Sequence, residues 1–142
     1  MLDLHFIREN AEAVQQNCQN RNLSIDIAHL LHLDQQHRGK MAELQAVQME
    51  RNQLAKSIKG RKPDDAEREL GKQLKESEVV LEQQVNALHS ELQELHGLVP
   101  NMSHPEVPIG KTDTDNRQLR IVGQVRKLDF PPKDHVELGQ MH

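Results

Sequence analysis

Two apolar stripes, one the mirror of the other, constrain this chain more than any other feature of it. The first runs Leu30, Leu33, His37, Leu44, Val47, Arg51, Leu54 and Ile58, widened by Met41 and Ala55. The second runs Ala66, Leu70, Leu74, Ser77, Leu81, Val85, Leu88, Leu92 and Leu95. Both recur at three-four spacing, the mark of a helix that buries one seam. Between them stands Lys59-Gly60-Arg61-Lys62-Pro63. Gly60 suits a left-handed helix end, and Pro63 cannot continue the first helix. Asp64 with Glu67 three residues on has the form of a capping box, with Asp in the Ser/Thr role, that starts the second helix. So short a turn makes the helices antiparallel. Folding the chain at about residue 62 predicts facing residues whose numbers add to about 124, because both helices rise ~1.5 Å per residue. Ile58 then faces Ala66, Leu54 faces Leu70, Val47 faces Ser77, Leu44 faces Leu81, Leu33 faces Leu92 and Leu30 faces Leu95. Helices of about 34 residues extend roughly 50 Å.

The fold class this predicts is mainly α. A long antiparallel two-helix coiled-coil hairpin occupies 26–97, with its tip at about 59–64. It stands on a small helical base, 1–25, and is followed by a Pro-rich linker, 98–142, with one or two short strands. Composition agrees with an elongated shape. Only 35% of the 142 residues are hydrophobic and 1% are aromatic; a rounded domain of this size would draw on several rings to fill its core. In the base, Leu2, Leu4, Phe6 and Ile7 form an apolar patch, and Asn10 is placed to cap a helix over Ala11 to Arg21. Asp26 is an N-cap for the arm, with Ile25 and Leu30 at staple positions. Gly39 and Gly71 each cost about 1 kcal/mol relative to Ala inside a helix. Arg51 falls on the seam itself, where its aliphatic stem is expected to cover Leu74 while the guanidinium reaches water. Gly97 is expected to close the return helix. Pro100, Pro105 and Pro108 then impose extended chain. Gln118 to Val125, with Leu119, Ile121 and Val122, has strand character, and Pro131-Pro132 marks a further linker.

Charge is distributed unevenly. The net charge is −4. Yet from Arg51 to Lys75 eight basic residues, Arg51, Lys56, Lys59, Arg61, Lys62, Arg68, Lys72 and Lys75, stand against four acids, Asp64, Asp65, Glu67 and Glu69. That window carries +4 and the remainder −8. A positive far end on a negative chain suits a polyanionic partner at the tip, although a solvated helical face would show the same charges. The arm has no aromatic ring on which to stack bases. Such a surface suits phosphates and helical shape, the backbone and 2′-hydroxyls of a folded RNA stem, rather than a base sequence.

Other chemistries find little support. The single cysteine, Cys18, allows no intrachain disulfide, and nothing near it would activate a thiol, so it reads as a small buried residue. No apolar run approaches the ~20 residues that span a bilayer, and the N-terminus lacks the apolar core of a signal peptide, which makes the cytoplasm the default. Of nine histidines, His29, His32, His89 and His96 gather near the root of the arm. With no HExxH and no nearby Cys partner they read as exposed or seam-edge residues, and no metal site is expected. There is no glycine-rich phosphate loop and no GxGxxG. The residues show no active site of their own, and a stand-alone structural or adaptor coiled coil that grips a protein is the alternative reading.

A resemblance sharpens this picture. Val99-Pro100-Asn101-Met102-Ser103-His104-Pro105-Glu106-Val107-Pro108-Ile109-Gly110-Lys111, followed by Asp115-Asn116, resembles the linker of bacterial seryl-tRNA synthetases. So do Asp129-Phe130 and Lys133-Asp134-His135-Val136-Glu137-Leu138-Gly139, the opening Met1-Leu2-Asp3 with Ile7-Arg8-Glu9-Asn10, and the arm segment Glu50 to Ile58. The likeness runs over essentially the whole chain. It implies the tRNA-binding N-terminal arm domain of a class II aminoacyl-tRNA synthetase, a cytoplasmic homodimer at full length. Such an enzyme activates serine with ATP and Mg²⁺ and transfers it to tRNA(Ser), and in bacteria to tRNA(Sec). The arm grips the long variable arm of the tRNA mostly through backbone and shape. The ATP, serine and metal residues of the family follow this region, so none is carried onto positions 1–142, and this chain alone is expected to be inactive. The tRNA-binding set expected here is the eight basic residues that the charge count singles out.

Overall fold

The computed structural model describes residues 1–124 and 126–141. The chain opens with a short helix, α1 (Leu4–Glu9), started by Asp3, whose carboxylate accepts from the His5 N–H at 2.6 Å. The apolar patch expected over Leu2 to Ile7 is thus helical from Leu4 onward. Helix α2 (Ala11–Asn20) follows after the single residue Asn10. Asn10 stands at the N-cap position but makes no side-chain cap; its amide turns back to donate to the Phe6 carbonyl at 3.0 Å and closes α1 instead.

Two long helices make the arm. Helix α3 (Ile27–Ser57) begins at Asp26, which accepts from the His29 N–H at 2.9 Å. Helix α4 (Asp65–Leu98) begins with the predicted capping box. The Asp64 carboxylate accepts from the Glu67 N–H at 2.8 Å, and the Glu67 carboxylate accepts from the Asp64 N–H at 3.0 Å. Two orphan donors of the first turn are satisfied reciprocally. Helix α4 runs one residue past Gly97 and ends on Val99, whose extended backbone leads into Pro100. The arm is an antiparallel helical hairpin close to the predicted register. His37 lies against His89, with ring centroids 5.4 Å apart. The Gln48 amide donates to Glu78 at 3.1 Å. Gly71 faces Leu54, such that a methyl group on Gly71 would lie 3.6 Å from Leu54 Cδ2. The residue numbers of these pairs add to 125 or 126.

One seam position differs from the sequence reading. Glu78, not Ser77, is buried between Leu74 and Leu81, and the return seam runs Leu74, Glu78, Leu81, Val85, Leu88, Leu92, Leu95 at regular four-three spacing. Three-four spacing from Leu74 places Ser77 there as readily as four-three spacing places Glu78. The deciding partner is Arg51, which forms an ion pair with Glu78 rather than sending its guanidinium to water alone. A carboxylate enters a helical seam when a cation meets it there.

The root of the arm and the base share one core. Ile7, Val14, Cys18, Ile27 and Leu30 are fully buried, joined by Ile25, Leu33, Leu92 and Val99. Ile25 and Leu30, the staple pair, both belong to it. Polar ties reinforce the junction. The Gln15 amide donates to the Ile25 carbonyl and its oxygen accepts from the Ile27 N–H, both at 3.0 Å. The buried Asp34 carboxylate accepts from Arg8 at 2.9 Å and pairs with Arg38 at 3.1 Å. His96 Nε2 lies 2.7 Å from the Leu2 carbonyl oxygen. Asn17 donates to the Asn101 carbonyl and accepts from the Ser103 N–H, so it pins the start of the extended segment to α2.

Beyond Pro100 the described residues carry a turn closed by the Val107 N–H on the His104 carbonyl, a 3₁₀ turn at Asp113–Asp115 and a short helix α5 (His135–Gly139) capped by Asp134. The expected strands are a correction: among the described residues no strand is present, and Val125, the last residue of the expected segment, lies outside them. The physical reason is the lack of a neighbour. Leu119, Ile121 and Val122 are 85%, 74% and 81% exposed, and a strand with no paired edge and no covered face has nothing to hold it. Among the described residues no helix is long and apolar enough to cross a membrane.

Candidate nucleic-acid interface

The eight predicted basic residues fall on three pieces of the distal arm. Arg51 and Lys56 belong to the last two turns of α3; Lys59, Arg61 and Lys62 belong to the turn; Arg68, Lys72 and Lys75 belong to the first three turns of α4. The turn is built as the sequence requires. Ile58 caps α3 and donates to the Leu54 carbonyl at 3.2 Å, and the Arg61 N–H donates to the Ile58 carbonyl at 3.2 Å. Gly60 takes φ of +87°, a conformation that an L side chain rarely adopts.

These cations do not share one environment. Arg61 holds the Glu67 carboxylate with two guanidinium nitrogens, one of them at 2.7 Å from Oε2. Glu67 is thus gripped from two sides, by Arg61 and by the Asp64 N–H. The hydrogen bond from Arg61, with that from the Asp64 backbone behind it, pulls the Glu67 carboxyl from its ordinary 4.5 down to about 2. The same bond pushes the Arg61 guanidinium above its ordinary value. Arg51 is paired with Glu78, whose side chain is 10% exposed and also accepts from Gln48. By contrast, Arg68 meets the exposed Asp65 at 3.1 Å, and Lys72 meets the exposed Glu76 at 4.0 Å. Lys56, Lys59, Lys62 and Lys75 form no ion pair among the described residues. The sequence reading missed Glu67 and Glu78 as partners of the basic set. The four-three spacing from Leu74 to Leu81 was the available signal for Glu78.

The remaining candidates have plain roles. Cys18 is fully buried in the core, and burial pushes its thiol up while the nearby Arg21 acts weakly in the other sense. His29 lies 3.8 Å from Glu91 on the arm surface. No three or more His, Cys, Asp or Glu side chains among the described residues are grouped to hold a metal ion.

A two-helix arm on a small base, with its cations at the far end, can be compared directly with known proteins. Residues 1–103 match the family model described as the seryl-tRNA synthetase N-terminal domain. The chain belongs to that family. A serine–tRNA ligase of Treponema denticola is 39% identical over 143 aligned residues, covering 99% of this chain and 34% of that relative. One from Deinococcus radiodurans is 38% identical over 140 residues, covering 97% of this chain and 33% of the relative. Among solved structures, seryl-tRNA synthetase from Pyrococcus horikoshii, crystallised with ATP, matches with a TM-score of 0.70 and 32% identity, over 81% of this chain and 27% of the other. The chain therefore spans about a third of the length of the relatives it matches. As a seryl-tRNA synthetase N-terminal domain, it carries the arm and root that the family model covers, and the segment after residue 103 extends beyond that model.

Proposed function

We propose that this domain grips the long variable arm of tRNA(Ser), and of tRNA(Sec), so that a serine–tRNA ligase can attach serine to its tRNA using ATP and Mg²⁺. The ligase works as a cytoplasmic homodimer in this reading, and the chemistry lies outside positions 1–142. The observation that carries the reading is the family match over 1–103 taken with the placement of the cations. The charge of +4 between Arg51 and Lys75 sits at the end of the hairpin farthest from the core that Ile7, Val14 and Leu30 build. A rigid arm with cations and no rings is suited to an RNA stem recognised by phosphate spacing and shape.

The test is binding of the pure chain to a tRNA(Ser) transcript and to a tRNA with a short variable arm, at several salt concentrations. Preference for the long variable arm is expected, with affinity falling linearly on a log–log plot by about 0.7–0.9 per phosphate contact. Equal and salt-insensitive binding to both RNAs would overturn the reading.

A further inference from the structure

Two arginines of the distal arm are engaged differently from the other cations around them. Arg61 makes a two-nitrogen contact with Glu67, whose side chain is 20% exposed and whose second hydrogen bond closes the α4 capping box. Arg51 meets Glu78 inside the seam, where the carboxylate is 10% exposed and also bound by Gln48. Each arginine thus has its charge partly compensated and some of its donors already committed to a carboxylate, and a phosphate that drew it away would cost that contact. Removing one partner from such a pair is costly. Arg68 and Lys72 are held only by single contacts to Asp65 and Glu76, which are 98% and 66% exposed. Such surface pairs are weak and screened, and a phosphate can take the place of the carboxylate.

Helical geometry sorts the cations carried by the two helices, Lys62 belonging to the turn. Each residue turns a helix by ~100°. Measured from the seam of α3 at Arg51, Leu54 and Ile58, Lys56 lies roughly 170° around in the chain-forward sense. Lys59 follows in the turn, where its N–H donates to the Lys56 carbonyl at 3.3 Å and keeps it beside Lys56. Measured from the seam of α4 at Leu74, Glu78 and Leu81, Arg68, Lys72 and Lys75 lie roughly 90–160° around in the same sense. In an antiparallel pair the forward sides of the two helices form one face of the hairpin. Glu43 and Glu50 fall on the backward side of α3, the opposite face.

We infer that Arg51 and Arg61 are positioning residues, clamped by Glu78 and Glu67, and that the phosphate-facing surface of the distal arm is the one side carrying Lys56, Lys59, Arg68, Lys72 and Lys75. This rests on the RNA-binding reading above and deepens it. Arg61 fixes the turn between the helices, and Arg51 fixes the register behind that surface.

The experiment compares the slope of log affinity against log salt for the full chain and its variants with a tRNA(Ser) transcript. Lys59→Gln and Lys75→Gln should each flatten the slope by about 0.7–0.9, the value of one lost phosphate contact. Arg61→Gln and Arg51→Gln should leave the slope unchanged even where they weaken binding. Glu67→Gln keeps the capping box, because Gln serves at that position, but frees Arg61. It should steepen the slope by about 0.7–0.9. An Arg61→Gln slope that flattens as much as that of Lys59→Gln overturns the inference. A second measurement needs no RNA. By NMR titration the Glu67 carboxyl should have its midpoint at about 2 and move back toward 4.5 in Arg61→Gln. A wild-type midpoint near 4.5 overturns the clasp. If the chain binds no tRNA, the proposed function fails and the titration still judges the clasp.

Discussion

At the root of the arm Leu30 and Leu33 of α3 lie buried with Leu92 of α4, and Ile7, Val14 and Cys18 of the base close over them. Past the Arg51–Glu78 pair, Leu74 is the one buried apolar residue among those described. Leu54 and Ile58 are half-buried, and Leu70 is 39% exposed. The same pair of helices is thus held near the base by burial from three sides, and at the far end by a thin seam, an ion pair within it and a capped turn. Two isolated helices can cover only one stripe each, so the far end keeps most of its surface in water. That surface is what a long partner such as an RNA stem would meet.

Substitutions can break this contrast at either end. The largest loss is expected at the root. Leu30→Ala should cost about 2–5 kcal/mol in urea unfolding, because a fully buried leucine leaves a cavity that three helices must share. In the seam of the far end, Glu78→Ala should cost about 1–3 kcal/mol by leaving Arg51 and Gln48 without their acceptor. Replacing Arg51 and Glu78 together by leucine should recover most of that loss. At the turn, Asp64→Ala should cost about 1 kcal/mol through the lost cap.

Two smaller effects sharpen the comparison. Gly39 is exposed, and a methyl group there would meet nothing within 4 Å. Gly39→Ala should therefore raise stability by up to about 1 kcal/mol. Lys72→Gln should change stability by less than about 0.5 kcal/mol while weakening tRNA binding. The pH response follows from Glu67. Its carboxyl is depressed in the folded state, so the stability it lends is complete above about pH 4.5 and is lost as pH falls toward about 2. Acid unfolding monitored by circular dichroism should lose that component in Arg61→Gln.

Much of the arm was legible because helical spacing is local and two stripes can be tested against each other. The Asp26 and Asp64 caps, the stop at Gly60-Arg61-Lys62-Pro63 and the near-124 register needed only residue types and their spacing. The misses are equally specific. Helix α1 is six residues long and shows too little periodicity to announce itself. The strand over 118–125 looked sound by propensity, but propensity describes a fit to a neighbour, and Leu119, Ile121 and Val122 have none here. Spacing alone admits Ser77 or Glu78 on the seam, and it cannot see the cation waiting opposite Glu78.

The candidate site was legible as a set of eight charges and no further. Their number and their position near a turn are properties of the chain. Whether an arginine is spoken for depends on which carboxylate the fold brings within reach: Glu78 from the return helix for Arg51, and Glu67 from the first turn of α4 for Arg61.

The sequence by itself determined a long antiparallel hairpin, its turn, its caps and the crowding of positive charge at its far end, because each of these is set by contacts a few residues apart or by a simple mirror rule. Only the tertiary structure decided that the base and the arm root form one core, that Asp34 draws Arg8 of α1 onto the arm, and that two of the eight cations are bound to shielded acids. Arg8 meets Asp34 across 26 residues of chain and Arg51 meets Glu78 across 27, while Arg61 reaches Glu67 around a tight turn, and none of these meetings is set by residue type and spacing alone.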